Sequence, residues 1–182
     1  QIGTATNWRL ISAAPDYAFG IQEDGSLWAW GDNSCEQLGL GDSYSDQETI
    51  SIPHQILNGT RWKSISAADH TLAIHEDGSL WAWGFNENGQ LGMGVTGLLN
   101  NKFFNKPHQI STLKWHAVSA GFVHSLAISD DRSLWQWGNM PSPELGLWHT
   151  PYISSIPKKI ASPITNWALI SAGYDCSFAI QE

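Results

Sequence analysis

Ser26-Leu-Trp-Ala-Trp-Gly31, Ser79-Leu-Trp-Ala-Trp-Gly84 and Ser133-Leu-Trp-Gln-Trp-Gly138 are three near-identical hexapeptides in a chain of 182 residues. In an extended strand successive side chains point to opposite faces, so Trp28 and Trp30 share one face and Leu27 and Ala29 the other. Each copy therefore predicts a strand belonging to a sheet with one bulky face and one smooth face. Such a sheet cannot bury both faces alone, but stacked copies can, the indoles of one meeting the smooth face of the next.

The same order of segments surrounds every copy. An acidic turn precedes it, Glu23-Asp-Gly25, Glu76-Asp-Gly78 and, with Arg132 for Gly, Asp130-Asp-Arg132. Asp-Gly between two strand-like runs signals a hairpin. Before the turn stand the apolar runs Ala18-Phe-Gly-Ile21, Thr71-Leu-Ala-Ile74, Ser125-Leu-Ala-Ile128 and Ser177-Phe-Ala-Ile180. Before those come short strands opened by Trp8, Trp62, Trp115 and Trp167, at intervals of 54, 53 and 52 residues. Downstream lie the glycine-containing turns Gln37-Leu-Gly39, Gln90-Leu-Gly92 and Glu144-Leu-Gly146, then the segments Pro53–Ile56, Pro107–Ile110 and Pro157–Ile160. A proline at a strand start fits an outer edge strand, where the missing N–H is tolerated.

Four strands per period, without helical periodicity, predict an all-β fold: a β-propeller of four-stranded antiparallel blades. An open β-solenoid fits less well, since its coils are shorter and lack this meander. Residues 1–182 form a single array, with repeats 8–61, 62–114 and 115–166, a partial repeat 167–182, and residues 1–7 as the tail of a preceding one. This is a partial propeller of about 3.75 blades. Open blade edges predict self-association or completion by flanking repeats.

On Ile65-Ser66-Ala67-Ala68, His70, the run Gly78 to Gly84, Asn86 and Gln90-Leu91-Gly92, the chain resembles the regulator of chromosome condensation repeat family. The resemblance covers essentially the whole chain. It implies a rigid seven-bladed scaffold that presents loops to a protein partner, a role shared by exchange factors, inhibitors, a photoreceptor and domains of ubiquitin ligases. The photoreceptor's Gly-Trp-Arg-His-Thr signature is absent, so the tryptophans read as core anchors. The repeats also differ among themselves: Tyr17 and Cys176 stand where His70 and His124 stand in the middle copies.

The remaining residues narrow the function. A formal net charge of −8 argues against nucleic acid, whose affinity comes from Lys and Arg on phosphates. No apolar run reaches the roughly 18 residues of a membrane span, so no membrane partner is expected. A first residue Gln1 without a leader reads as a processed or excised product. Cys35 and Cys176 read as free thiols, and Asn58-Gly-Thr60 as turn chemistry rather than a glycosylation acceptor. His70 and His75, five apart in a strand, fall on opposite faces and exclude a shared-face zinc pair. His70 and His124 share one repeat slot, where bonds to backbone carbonyls of a turn are expected. No phosphate loop, nucleophile elbow or cysteine ligand pair is present. No cofactor, metal or catalytic residue is therefore expected.

Specificity in a repeated scaffold lies where the repeats differ. Those segments are 42–52, 95–106 and 149–156, between the glycine turns and the outer strands. Leu98, Leu99, Phe103 and Phe104 are the first candidates for contact with a partner, and Tyr44, Trp148 and Tyr152 the second. Two functions stay open: a non-catalytic protein-binding module of scaffold, exchange-factor-like or inhibitor-like type, or the propeller segment of a larger enzyme, such as a ubiquitin ligase or toxin, whose catalytic domain lies outside these residues.

Overall fold

Strands form where the sequence alternates, and successive strands pair into antiparallel meanders. A computed structural model describes residues 5–97, 102–140, 152–161 and 165–182. The first sheet runs β1 (Trp8–Ala13), β2 (Tyr17–Gln22), β3 (Leu27–Asp32) and β4 (Thr49–Ile56), hydrogen-bonded in that order. The second comprises β5 (Trp62–Ala67), β6 (His70–His75), β7 (Leu80–Phe85) and β8 (Phe103–Ser111), the third β9 (Trp115–Ala120), β10 (His124–Ser129), β11 (Leu134–Met140) and β12 (Tyr152–Lys159). A fourth blade begins with β13 (Trp167–Ala172) and β14 (Ser177–Gln181). Among the described residues there is no α-helix, and a 3-10 turn stands at Asp42–Tyr44. These are the expected blades.

The outer strands differ from expectation. They begin at Thr49, Phe103 and Tyr152, so Pro53, Pro107 and Pro157 lie inside strands rather than at their starts. Each proline falls at a step in register: Ala29 pairs with His54 but Gly31 with Ile50, and Ala82 with His108 but Gly84 with Phe104. In the third blade Gln136 pairs with Lys158 and Gly138 with Ser154. The outer strand carries two extra residues at each step, a bulge on an edge strand, which is where a residue without an N–H fits.

Each β2–β3-type hairpin is closed by a serine, an aspartate and a tryptophan. Asp24 Oδ1 accepts from the Ser26 amide (2.9 Å) and hydroxyl (2.7 Å), and the Trp28 indole N–H donates to that hydroxyl (2.9 Å). Asp77, Ser79 and Trp81 repeat the arrangement. In the third blade Asp131 takes bonds from Ser129 and Ser133, and Trp135 donates to Ser129. The serine bonds hold the carboxyls of Asp24, Asp77 and Asp131 below the usual carboxylate range. The turn then needs a left-handed residue, with Gly25 and Gly78 both at φ 86°. Arg132 adopts φ 63° in the same slot despite its side chain.

Blade stacking follows the two-faced pattern. Trp8 lies against Trp28 and Trp30, Trp62 against Trp81 and Trp83, and Trp115 against Trp135 and Trp137, with ring centroids 5.5–6.5 Å apart. This indole face looks toward the preceding blade. Trp83 and Trp137 are fully buried on the backbone of Gly39 and Gly92, where a Cβ would come within 2.6 and 2.9 Å of the indole nitrogen. Trp28, Trp30, Trp81 and Trp135 are half-buried. Polar bonds repeat with the same period. The Trp62, Trp115 and Trp167 amides donate to the carbonyls of Gly25, Gly78 and Arg132. The Ala67, Ala120 and Ala172 amides donate to the hydroxyls of Ser12, Ser66 and Ser119 at 3.0, 2.9 and 2.8 Å.

The ends of the stack expose what its middle buries. Phe178 is 63% exposed, whereas its counterparts Phe19, Leu72 and Leu126 are fully buried. Ile11, 62% exposed, corresponds to Ile65 at 7%. A buried indole removes some 150–250 Å² from water, worth about 4–6 kcal/mol at 25 cal/mol per Å². Trp83→Ala is therefore expected to destabilise the protein by about 3–5 kcal/mol, and Trp28→Ala by clearly less; chemical denaturation of the two variants measures the difference.

Candidate functional site

Because each blade runs β1 up, β2 down, β3 up and β4 down, its connections sort onto two faces. The β2–β3-type hairpins and the links between blades make one, the hairpin face. The short turns after β1, β5, β9 and β13, with the long loops after β3 and β7, make the other, the loop face. The charges divide the same way. Arg9, Arg61, Lys63, Lys114, Arg132, Lys158 and Lys159 lie toward the hairpin face, with the seven carboxylates Glu23, Asp24, Glu76, Asp77, Asp130, Asp131 and Glu182. The loop face holds nine described carboxylates, Asp16, Asp32, Glu36, Asp42, Asp46, Glu48, Asp69, Glu87 and Asp175, against Lys102 and Lys106. Both lysines are paired, Lys102 with Glu87 (3.2 Å) and Lys106 with Asp42 (2.5 Å). Nearly all of the net negative charge thus sits on one face.

Two clefts open on that face. The first, about 300 Å³, lies between the first and second blades and is lined by Pro15, Asp16, Tyr17, Asp32, Cys35, Gln37, Ala68, Asp69, Phe85 and Phe103. The second, about 330 Å³, runs across the ends of the four inner strands, from Ala13–Pro15 through Ala67–Asp69 and Ala120–Phe122 to Ala172–Tyr174. Asp69 lines both. Burial holds its carboxyl above the ordinary range, and among the described residues no cation pairs with it. Aromatic rings flank the carboxylates: Phe85 and Phe103 with centroids 5.5 Å apart, and Phe122 stacked on Tyr174 at 4.2 Å and 18°.

The loops after β3 and β7 are pinned from beneath. Asn33 Nδ2 donates to the Tyr44 carbonyl (3.0 Å) while its Oδ1 accepts from the Leu38 amide (3.3 Å). Asn86 does the same with Val95 and Leu91. Gln37 and Gln90 accept from the amides of Cys35 and Asn88 at 2.8 Å. Each loop is also tied to the next blade, Gly41 N–H to Asn105 O and Gly94 N–H to Ser155 O. A loop held in this way loses little entropy when it meets a partner.

Of the residues singled out from the sequence, Phe103 lines the first cleft. Phe104 turns the other way, half-buried against the core between the second and third blades and edge-on to His108. Tyr44 packs on the core of the first pair of blades and edge-on to His54. Phe103, Phe104 and Tyr152 belong to outer strands rather than to loops. Leu98, Leu99 and Trp148 lie outside the described residues. Asp16, Asp32, Asp69, Phe85, Phe122 and Tyr174 were not singled out. Each sits in an ordinary turn or strand end, and only neighbours about fifty residues away make a cleft of them.

The histidine slot also differs from expectation. His70 Nε2 meets the Ser125 hydroxyl at 2.6 Å and His124 Nε2 meets Ser177 at 2.9 Å, so both reach the next blade rather than a carbonyl of their own turn. Ser125 donates its own proton to the Gln90 carbonyl (2.7 Å), so His70 is the donor to Ser125 and carries its proton on Nε2. Tyr17, in the same slot of the first blade, donates to the Ala68 carbonyl across the equivalent junction. Burial, then the nearby His124, lowers the pKa of His70 to about 3. His70 and His124 thus fasten one blade to the next. Among the described residues no group of three or more His, Cys, Asp or Glu is placed to hold a metal, and no helix is long and apolar enough to cross a membrane.

Four-stranded blades stacked through indoles, with clefts at the loop ends, define a repeat-built β-propeller. The family model for the regulator of chromosome condensation (RCC1) repeat matches residues 24–74 and 77–128, and the chain belongs to that family. It is 32% identical over 151 residues to the mitochondrial RCC1 domain-containing protein RUG3 of Arabidopsis thaliana, covering 82% of this chain and 33% of that protein. With the ultraviolet-B receptor UVR8 of the same plant it shares 37% over 130 residues, 70% of this chain and 29% of the receptor. The crystal structure of Prp20p from Saccharomyces cerevisiae, described with its binding to Gsp1p and histones, superposes with a TM-score of 0.82 at 21% identity, over 95% of this chain and 43% of Prp20p. The chain spans about a third of the length of the curated relatives it matches.

A group buried neutral in the fold but free to take a proton when unfolded makes stability fall as pH drops. For His70 the window opens near the unfolded value of about 6.5 and closes at the folded value of about 3. His70→Tyr, which copies the first blade, is expected to fold and to flatten the loss of stability between pH 7 and 4.5; denaturation midpoints across that range measure it.

Proposed function

We propose that the chain is a non-catalytic protein-binding propeller segment whose loop face is the contact surface. The observation that carries this reading is the coincidence, on one face, of both clefts, the unpaired carboxylates and partly exposed aromatic rings, beside loops already pinned to the blades. Aromatic anchors in a desolvated centre commonly dominate interface energy. Prp20p, similar in fold, binds proteins, Gsp1p and histones, and a protein partner is the reading carried over here. Scaffold, exchange-factor-like and inhibitor-like roles all use such a surface. The second function, a segment of a larger enzyme with its catalytic domain elsewhere, places the same face in a substrate-recruiting role.

Phe103 is the first contact residue in this proposal. Leu98, Leu99, Phe104, Tyr44, Trp148 and Tyr152 remain the other candidates, with Phe104 and Tyr44 acting chiefly as support because they pack on the core. Recovery of the partner with the full-length protein, followed by Phe103→Ala, tests the reading. The folded variant is expected to bind about thirtyfold more weakly, as loss of an anchor worth about 2 kcal/mol implies. Unchanged affinity moves the site off this face.

The apolar end faces are proposed to take a further blade of the same type. Ile11, Leu169, Phe178 and Ile180 are each about 60% exposed there, and their interior counterparts show what covers them. The isolated chain of these residues is expected to self-associate in light scattering, and a stable monomer at high concentration overturns the proposal.

A further inference from the structure

We propose that the cleft between the first two blades is an arginine-accepting pocket, in which Asp16, Asp32 and Asp69 neutralise the guanidinium of a partner protein and the Phe85–Phe103 pair carries its planar face. This deepens the loop-face reading above and rests on it, since the pocket opens on that face.

The cleft's size selects its occupant first. About 300 Å³ is the lower limit of the range in which small-molecule ligands are held, and the cleft is open along the loop face. It suits one side chain entering from a docked protein better than a ligand buried whole. Charge selects next. Three carboxylates line the wall, and the described cations of the face, Lys102 and Lys106, are engaged elsewhere, with Glu87 and Asp42. A cation is the occupant that complements this charge.

The three carboxylates are not equivalent. Asp32 accepts from the Ser34 hydroxyl (2.8 Å) and from Gln37 (2.5 Å), so it is fixed in place by its own loop. Asp16 is exposed at the rim. Asp69 is half-buried, has no side-chain donor among the described residues, and lies where both clefts meet. The elevation of its pKa by burial is what a cation in the cleft would reverse.

Shape then separates the two basic residues. Phe85 and Phe103 face each other at 38°, with centroids 5.5 Å apart, and offer ring surface beside the carboxylates. A guanidinium is planar, weakly hydrated and stacks on aromatic faces while presenting its N–H fork to carboxylates; an ammonium is a compact, strongly hydrated charge. Tyr17, buried and bonded to Ala68 across the junction, closes the floor and ties the two walls together.

The test uses the full-length protein and a blocked pentapeptide, Gly-Gly-Arg-Gly-Gly, with its citrulline and lysine analogues as probes, followed by NMR titration. Asp69→Asn serves as the pocket variant and Asp46→Asn, exposed on the same face outside the cleft, as a charge-matched control; thermal unfolding confirms that both fold. The arginine peptide is expected to shift the signals of Phe85, Phe103 and Asp69. The lysine peptide should bind several-fold more weakly, and citrulline should leave the signals unmoved. Asp69→Asn should weaken arginine binding about tenfold and Asp46→Asn less than twofold. Equal responses to arginine and citrulline, or equal losses in the two variants, overturn the pocket. Asp69→Asn and Phe103→Ala are then compared on the recovered partner. Loss of partner binding in Phe103→Ala alone leaves the loop-face reading standing and removes the arginine pocket, whereas loss in neither removes both.

Discussion

Everything in this protein depends on one packing constraint: a blade has two apolar faces and only another blade fits them. The indole side of each sheet is too bulky to be covered by itself, and the smooth side is shaped to receive the next cluster. Glycine stands at 39 and 92 because a buried indole lies directly on that backbone, leaving no room for a Cβ. Around this apolar contact the same polar bonds recur, Ala N–H to Ser Oγ and Trp N–H to hairpin carbonyl at every described junction. The directional bonds set the register between blades, while the area removed from water supplies most of the stabilisation.

The same constraint explains why the resources of the sequence are so unevenly spent. Aspartate, serine and tryptophan close the hairpin at one end of each blade, and there cations and carboxylates are balanced. The other end carries no such closure. Its loops are held from below by Asn33, Asn86, Gln37 and Gln90, which leaves their upper surface free for other work. A rigid support beneath a variable, acidic, aromatic surface is what a recognition module requires, because little of the binding energy is lost in ordering it.

Histidine shows how a single slot serves packing in different chemical forms. His70 and His124 bridge to a serine of the next blade, and Tyr17 crosses the equivalent junction with a hydroxyl. An imidazole buried at a junction and bonded to the next blade serves packing there. The value of about 3 for His70 reflects the cost of charging it in an apolar junction.

Read alone, the sequence determined the blade. Period-two alternation, the Asp-Gly turns and a spacing of 52–54 residues between equivalent tryptophans are local or periodic signals, and they specify strand number, pairing order and the face each indole occupies. It also marked the segments where the repeats depart from one another, Phe103 among them. What only the tertiary structure decided is what meets across a junction. The prolines lie inside bulged outer strands because pairing, not proline, sets where those strands begin. Phe104 and Tyr44 face the core, while Phe103 faces the cleft. Asp16, Asp32 and Asp69 come together from two blades, with the shortest sequence gap among them already one strand pair long. No local pattern contains that convergence, since it is produced by stacking one repeat on another and so depends on distances through space that the repeat itself does not encode.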